Sequence, residues 1–167
     1  METLFFLIIT LVAIVSAILV VTLKNPINNA LALIMTFFCL ATYYVMLDAP
    51  FMAAVQVMVY AGAIMVLMVF TIMLLNIRVD ASKKHSHKLI LGSIIGFFTF
   101  LNGFFVIYRS RAALPTGPYS GEMIKSVGHT ELVGREIFTN FLLPFEVTSI
   151  LLLVAIIGAV ILAKKKI

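Results

Sequence analysis

Glu146, in Pro144-Phe145-Glu146, is the one carboxylate that falls inside an apolar run of this chain. An acid at membrane depth suggests a functional site, because a charge there needs a partner or a proton to carry. Its position is shallow, about 7–8 Å along the axis from the start of its helix. A helix dipole also favours an acid in those first turns. Support by dipole or ion pair, and proton handling, therefore both stay open for Glu146. Gln56 and Tyr60 stand four residues apart in the uncharged stretch 51–76. On a regular helix that spacing places them on one face. Beside them lie Ala61-Gly62-Ala63, flanked by Met58, Met65, Met68 and Met73. A glycine within a helix costs about 1 kcal/mol relative to alanine, so it calls for a reason. Close packing of a neighbouring helix is the common one in membranes. A local irregularity such as a π-bulge is another, and direct contact with a substrate or ion is a third.

Little else in the chain offers chemistry. His85 and His87 have the spacing of a metal pair, but no acid or cysteine accompanies them, and His129 lies in a different loop. Cys39 is the only cysteine, which excludes a disulfide framework and a cysteine-rich metal site. Asp48, before Ala49-Pro50, reads as a turn or cap residue. There is no phosphate-binding loop, dinucleotide fingerprint, haem motif or Ser-His-Asp arrangement. The expectation is a chain with no catalytic centre, metal site or cofactor site of its own.

The elements that must position these residues are membrane helices. The chain is 63% hydrophobic and 11% charged, whereas a soluble domain is nearer one-half and about one-quarter. Five apolar runs stand out: 3–23, 27–47, 51–76, 89–108 and 141–163. Backbone inside a bilayer must satisfy its own hydrogen bonds, and these blocks are too long and too continuous for barrel strands, so they are expected as helices. The predicted fold is an all-α integral membrane protein with five spans in a single membrane domain. The N-terminus lacks a basic segment and a small-residue cleavage pattern, so the first run is expected to be a retained helix. As a helix the third run would be about 39 Å long, more than a hydrocarbon core of about 30 Å requires. The fourth carries Gly92-xxx-Gly96, a close-approach spacing, and Asn102, which needs a partner in lipid. The stretch 109–140 reads as a long external connection, with Pro115, Gly117, Pro118 and Gly121 as turn markers.

The net charge of +5 marks topology and does not suggest nucleic-acid binding. Eight of the twelve lysines and arginines fall on the side holding Lys24, the loop 78–88 and the last three lysines; four fall in 109–140. Positive residues favour the cytoplasm, which predicts an external N-terminus and a cytoplasmic C-terminus. Small-residue faces such as Ala155-xxx-Ala159-xxx-Ala163 exceed what five helices need among themselves, so partner subunits are expected.

Three motifs carry a resemblance. Gln56-Val-Met-Val-Tyr60-Ala-Gly62-Ala-Ile-Met-Val-Leu67 is similar to the third helix of the subunit J (chain 6) family of the proton-pumping NADH–quinone oxidoreductase, respiratory complex I. Asn25-Pro26 resembles the segment after that family's first helix, and Leu143-Pro-Phe-Glu146-Val-Thr-Ser149 its fifth. Stretches 80–88 and 109–125 carry no part of the likeness. The resemblance implies a multi-pass subunit of a bacterial inner membrane, among the quinone-site subunit, subunits A and K and the antiporter-like subunits. NADH, FMN, iron–sulfur clusters and quinone are then handled on other chains. It also implies a π-bulge at Tyr60 and Gly62, whose rotation opens and closes a water path linking quinone reduction to proton movement. On this reading Met65, Val66 and Val69 form a hydrophobic gate, Gln56 holds backbone or water near the bulge, and Glu146 is a support acid. Two rivals remain. One is the equivalent subunit of a hydrogenase- or ferredoxin-linked relative. The other is a freestanding small transporter, which would usually show repeat symmetry and more buried charge.

Overall fold

The computed structural model describes residues 1–75, 86–109 and 119–164. Arg78, Lys83, Lys84 and His85 of the basic loop, the turn markers Pro115, Gly117 and Pro118, and Lys165 and Lys166 lie outside the described residues. Because His85 lies outside them, nothing is described of the spacing between His85 and His87. Five helices are long and apolar enough to cross a membrane, as the five runs predict. They are α1 (Glu2–Thr22), α2 (Pro26–Met46), α3 (Pro50–Leu75), α4 (Ser86–Arg109) and α7 (Leu142–Ala163). Two shorter helices, α5 (Gly121–Val127) and α6 (His129–Thr139), occupy the second half of the connection. Among the described residues there is no strand.

Local chemistry sets the helix ends. Pro26 and Pro50 each stand in the first turn of a helix, where the missing N–H costs nothing. Asn25 caps α2 by accepting a hydrogen bond from the Ile27 N–H at 2.9 Å. At the other end of α2, Asp48 takes a positive φ of 55°. The Ala49 N–H then reaches the Tyr44 carbonyl at 2.9 Å and the Asp48 N–H reaches that of Val45 at 3.1 Å. This is a Schellman stop with aspartate in the position usually held by glycine, which Asp tolerates better than most side chains. Gly128 joins α5 to α6 at φ +98°, a region where glycine avoids the strain of a side chain.

Helix α2 is the centre of the bundle, with α1 packed on one side and α3 on the other. Its buried residues are small: Ala30, Ala32, Cys39 and Ala41. Small side chains let membrane helices approach closely enough for dispersion to act along the seam. Two hydroxyl contacts fasten α1 to α2. Tyr43 donates to Thr10 Oγ1 at 2.9 Å, and Thr10 donates to the Phe6 carbonyl at 2.8 Å. Further along, the Thr36 and Ser16 hydroxyls lie 3.0 Å apart. Each such bond contributes roughly 0.6 kcal/mol in a membrane, so these contacts set register more than they set stability.

The remaining helices are sparsely packed within the chain. Among the described residues α4 packs on no other element and α7 packs only on α6. Gly92 and Gly96 therefore meet no neighbour: a Cβ on either would have nothing within 4 Å. Asn102 is likewise exposed. Helix α6 lies against the first turns of α3, which puts the second half of the connection at the same end of the bundle as the α2–α3 turn.

Candidate functional site

Nine residues of α3, Gln56–Ile64, form a π-helical segment between ordinary α-helical turns. A π turn bonds i to i+5, so it accommodates an extra residue in the helix. The buried positions of α3 show the effect. Ala53, Gln56, Ala61 and Met65 are the ones under 9% exposed, and the Gln56–Ala61 interval is five. In an unbroken α-helix Ala53 and Met65 would point about 120° apart; absorbing one residue brings them to within about 20° of each other. The same extra residue corrects the expectation that Gln56 and Tyr60 share a face. Gln56 is 8% exposed and Tyr60 is 45% exposed, because Ala61 takes the inward place that Tyr60 would hold on a regular helix.

Gly62 sits where the widened turn folds back on itself. A Cβ there would stand 3.1 Å from the Val57 carbonyl oxygen, five residues earlier. Glycine is thus favoured by a close approach of backbone to backbone, not by a positive φ. Tyr60 packs edge-on against Phe37 of α2, with ring centroids 6.0 Å apart at 65°. Aromatic pairs favour that geometry. Phe37 is a part of the site that hydropathy does not single out. Its only sequence cue is an aromatic residue on the helix that must flank α3.

The three proposed gate residues are not gathered on one surface. Met65 is buried at 3% exposure, Val69 is half-buried and Val66 is 60% exposed. Met58, Met68 and Met73 point outward at 72%, 52% and 57%. Glu146 is far along the chain on α7, in its second turn and exposed. Among the described residues it forms no ion pair, and Ser149 donates to its backbone carbonyl at 2.7 Å. The π segment itself contains no carboxylate, amine, imidazole or thiol, and no group of three metal-ligating side chains occurs among the described residues. What sets this segment apart is its backbone, in which a π turn holds one residue more than an α turn. A family model for NADH-ubiquinone/plastoquinone oxidoreductase chain 6 matches residues 16–162, which include the whole π segment and α7 up to its last residue. The chain belongs to the chain 6 family.

Relatives within that family have different electron donors in their names. NAD(P)H-quinone oxidoreductase subunit 6 from the chloroplast of Staurastrum punctulatum is 40% identical over 89% of this chain and 82% of its own length. NAD(P)H-quinone oxidoreductase chain 6 of Synechocystis is 37% identical over 96% of this chain and 79% of its own. F(420)H(2) dehydrogenase subunit J of Methanosarcina mazei is 34% identical over 98% and 92%. The chain 6 likeness thus extends across nearly the full length of the chain. The subunit names of these relatives make this chain one subunit of a larger oxidoreductase.

Proposed function

We propose that this chain is a non-redox membrane subunit of a proton-translocating NAD(P)H:quinone oxidoreductase, forming one membrane domain whose third helix couples quinone reduction to proton movement. The observation that carries the reading is the five-residue interval from Gln56 to Ala61 on the buried face of α3. A π segment is one residue away from an α-helix. Passing that residue along would turn the rest of α3 by about 100°. Tyr60 and Ile64 would then replace Ala61 and Met65 against α2. Val66 and Val69 would swing with them, and a dry apolar constriction stops protons by excluding water. Tyr60 and Gly62 form the irregular turn, Gln56 steadies its inner side, and Met65, Val66 and Val69 are the gate. A bistable element of this kind is what conformational coupling requires. Glu146, near the outer end of α7, is a support acid of that helix.

FMN, iron–sulfur clusters and quinone are placed on other subunits, and the neighbours are the quinone-site subunit, subunits A and K and the antiporter-like subunits. The proposed setting is a bacterial inner membrane, and the lysine and arginine distribution supports a cytoplasmic C-terminus there. A second reading is favoured by the 34% identity to F(420)H(2) dehydrogenase subunit J: the same coupling role with another electron donor. To decide, the C-terminally tagged chain is extracted in mild detergent and run on a native gel with activity staining and mass spectrometry. A large band that oxidises NADH establishes the first reading. A large band that is silent with NADH but active with F420H2 or reduced ferredoxin establishes the second. A small species, persisting after cross-linking in the membrane, overturns both in favour of a freestanding transporter.

A further inference from the structure

At the end of the bundle where α6 meets α3, a cavity of about 400 Å³ opens between the α2–α3 turn and helices α5 and α6. Its size is in the range of small-molecule sites, roughly 300–1,000 Å³. Asp48, Lys125 and His129 line it together with Val45, Pro50 and Ile124. Asp48 and Lys125 share this space without forming an ion pair, among the described residues. His129 Nδ1 is buried and unpaired among the described residues, which leaves Nε2 as the ring nitrogen that can meet a ligand. Two opposite charges on the wall of one cavity, unpaired among the described residues, match a molecule that carries both signs. Val45 also lines a second, apolar cleft of about 470 Å³, bounded by Phe5, Phe38, Ala41, Ala53 and Val57. This cleft lies beside the spanning parts of α1, α2 and α3. A headgroup-sized cavity carrying three polar side chains thus adjoins an acyl-sized apolar one at the level of Tyr43 and Tyr44, where aromatic residues mark the membrane interface.

We propose that the two cavities together bind one zwitterionic phospholipid of the phosphatidylethanolamine class. Its ammonium group pairs with Asp48, its phosphate meets Lys125 and His129, and one acyl chain lies along Val45 into the cleft between α1, α2 and α3. The lipid would tie α5 and α6 to the start of α3, six residues before the π segment begins.

The test uses the tagged chain with its co-purifying subunits, reconstituted into vesicles that contain a photo-reactive phosphatidylethanolamine or a photo-reactive phosphatidylglycerol. The phosphatidylethanolamine probe is expected to label peptides spanning 45–50 and 124–129 about fivefold more than the phosphatidylglycerol probe, the discrimination of one partly exposed charge pair. Asp48→Asn, which keeps a side chain that tolerates positive φ, should bring phosphatidylethanolamine labelling down to the phosphatidylglycerol level. Lys125→Gln should lower labelling by both. Equal labelling by the two probes in the native chain, or indifference to Asp48→Asn, overturns the proposal in favour of unselective annular lipid. Absence of labelling at both peptides overturns it as well, and a cross-link from Lys125 to another polypeptide would then identify a protein as the occupant.

Discussion

Gly62 offers a direct handle on the register of α3. A methyl at this position in Gly62→Ala would stand 3.1 Å from the Val57 carbonyl, so that carbonyl must move by a few tenths of an ångström. The contact exists only because the π turn brings residue 57 beneath residue 62; in an α-helical turn the carbonyl beneath belongs to residue 58. The gain in helix propensity from Gly to Ala applies to both registers and cancels. The crowding does not cancel, and costs the π form on the order of 1 kcal/mol. That shifts the π-to-α ratio about fivefold. Gly62→Leu carries the same Cβ and a larger load, and should exceed it. The assay compares three quantities in membranes: the amount of assembled complex on a native gel, NADH oxidation by an artificial acceptor ahead of quinone, and quinone-linked turnover with proton uptake. The first two should stay near the parent level. The third should fall several-fold in Gly62→Ala and further in Gly62→Leu. Normal quinone-linked turnover and pumping in fully assembled Gly62→Leu would refute the register argument, because no π segment could then be needed for coupling.

Other perturbations separate packing from function. Met65→Ala empties a site only 3% exposed and should lower stability by about 2 kcal/mol, whereas Val66→Ala, 60% exposed, should change it by less than about 0.5 kcal/mol; thermal inactivation of the purified assembly reports both. Tyr43→Phe removes the hydrogen bond to Thr10 at 2.9 Å while keeping the ring that packs on Phe6, for a loss of roughly 0.6 kcal/mol seen as a small fall in midpoint temperature. In the connection, the Tyr119 hydroxyl and then the Asn140 amide hydrogen-bond the Glu136 carboxylate and hold it below the usual carboxylate range. A lowered folded value stabilises the fold above the ordinary carboxylate range and loses that contribution as pH falls through the lowered value. Limited proteolysis of the 119–140 segment should therefore accelerate on acidification, and Tyr119→Phe should move that onset to higher pH.

Much of the candidate site was legible because its signals are local. An uncharged run of 26 residues must be a helix in a bilayer, and a glycine in its middle asks for either a close neighbour or an irregular turn. The chain 6 motifs at 56–67 and 143–149 pointed to the family. The facing of Gln56 and Tyr60 was misjudged because the rule of four assumes 3.6 residues per turn, and one extra residue is invisible to periodicity until burial is known. Helices α5 and α6 were not anticipated for a related reason. They are short and polar, and their order comes from contacts such as Tyr119 with Glu136 and the burial of Leu132.

Hydropathy and charge, written in the order of residues, determined that the chain has five spans and which stretches between them are basic. Those properties follow from transfer of one segment at a time between water and lipid. Which helix is central, how Ala61 and not Tyr60 comes to face α2, and how Asp48 meets Lys125 and His129 across a cavity were decided only by the tertiary structure. Each depends on small differences in packing between segments distant in sequence, and no single segment contains that information.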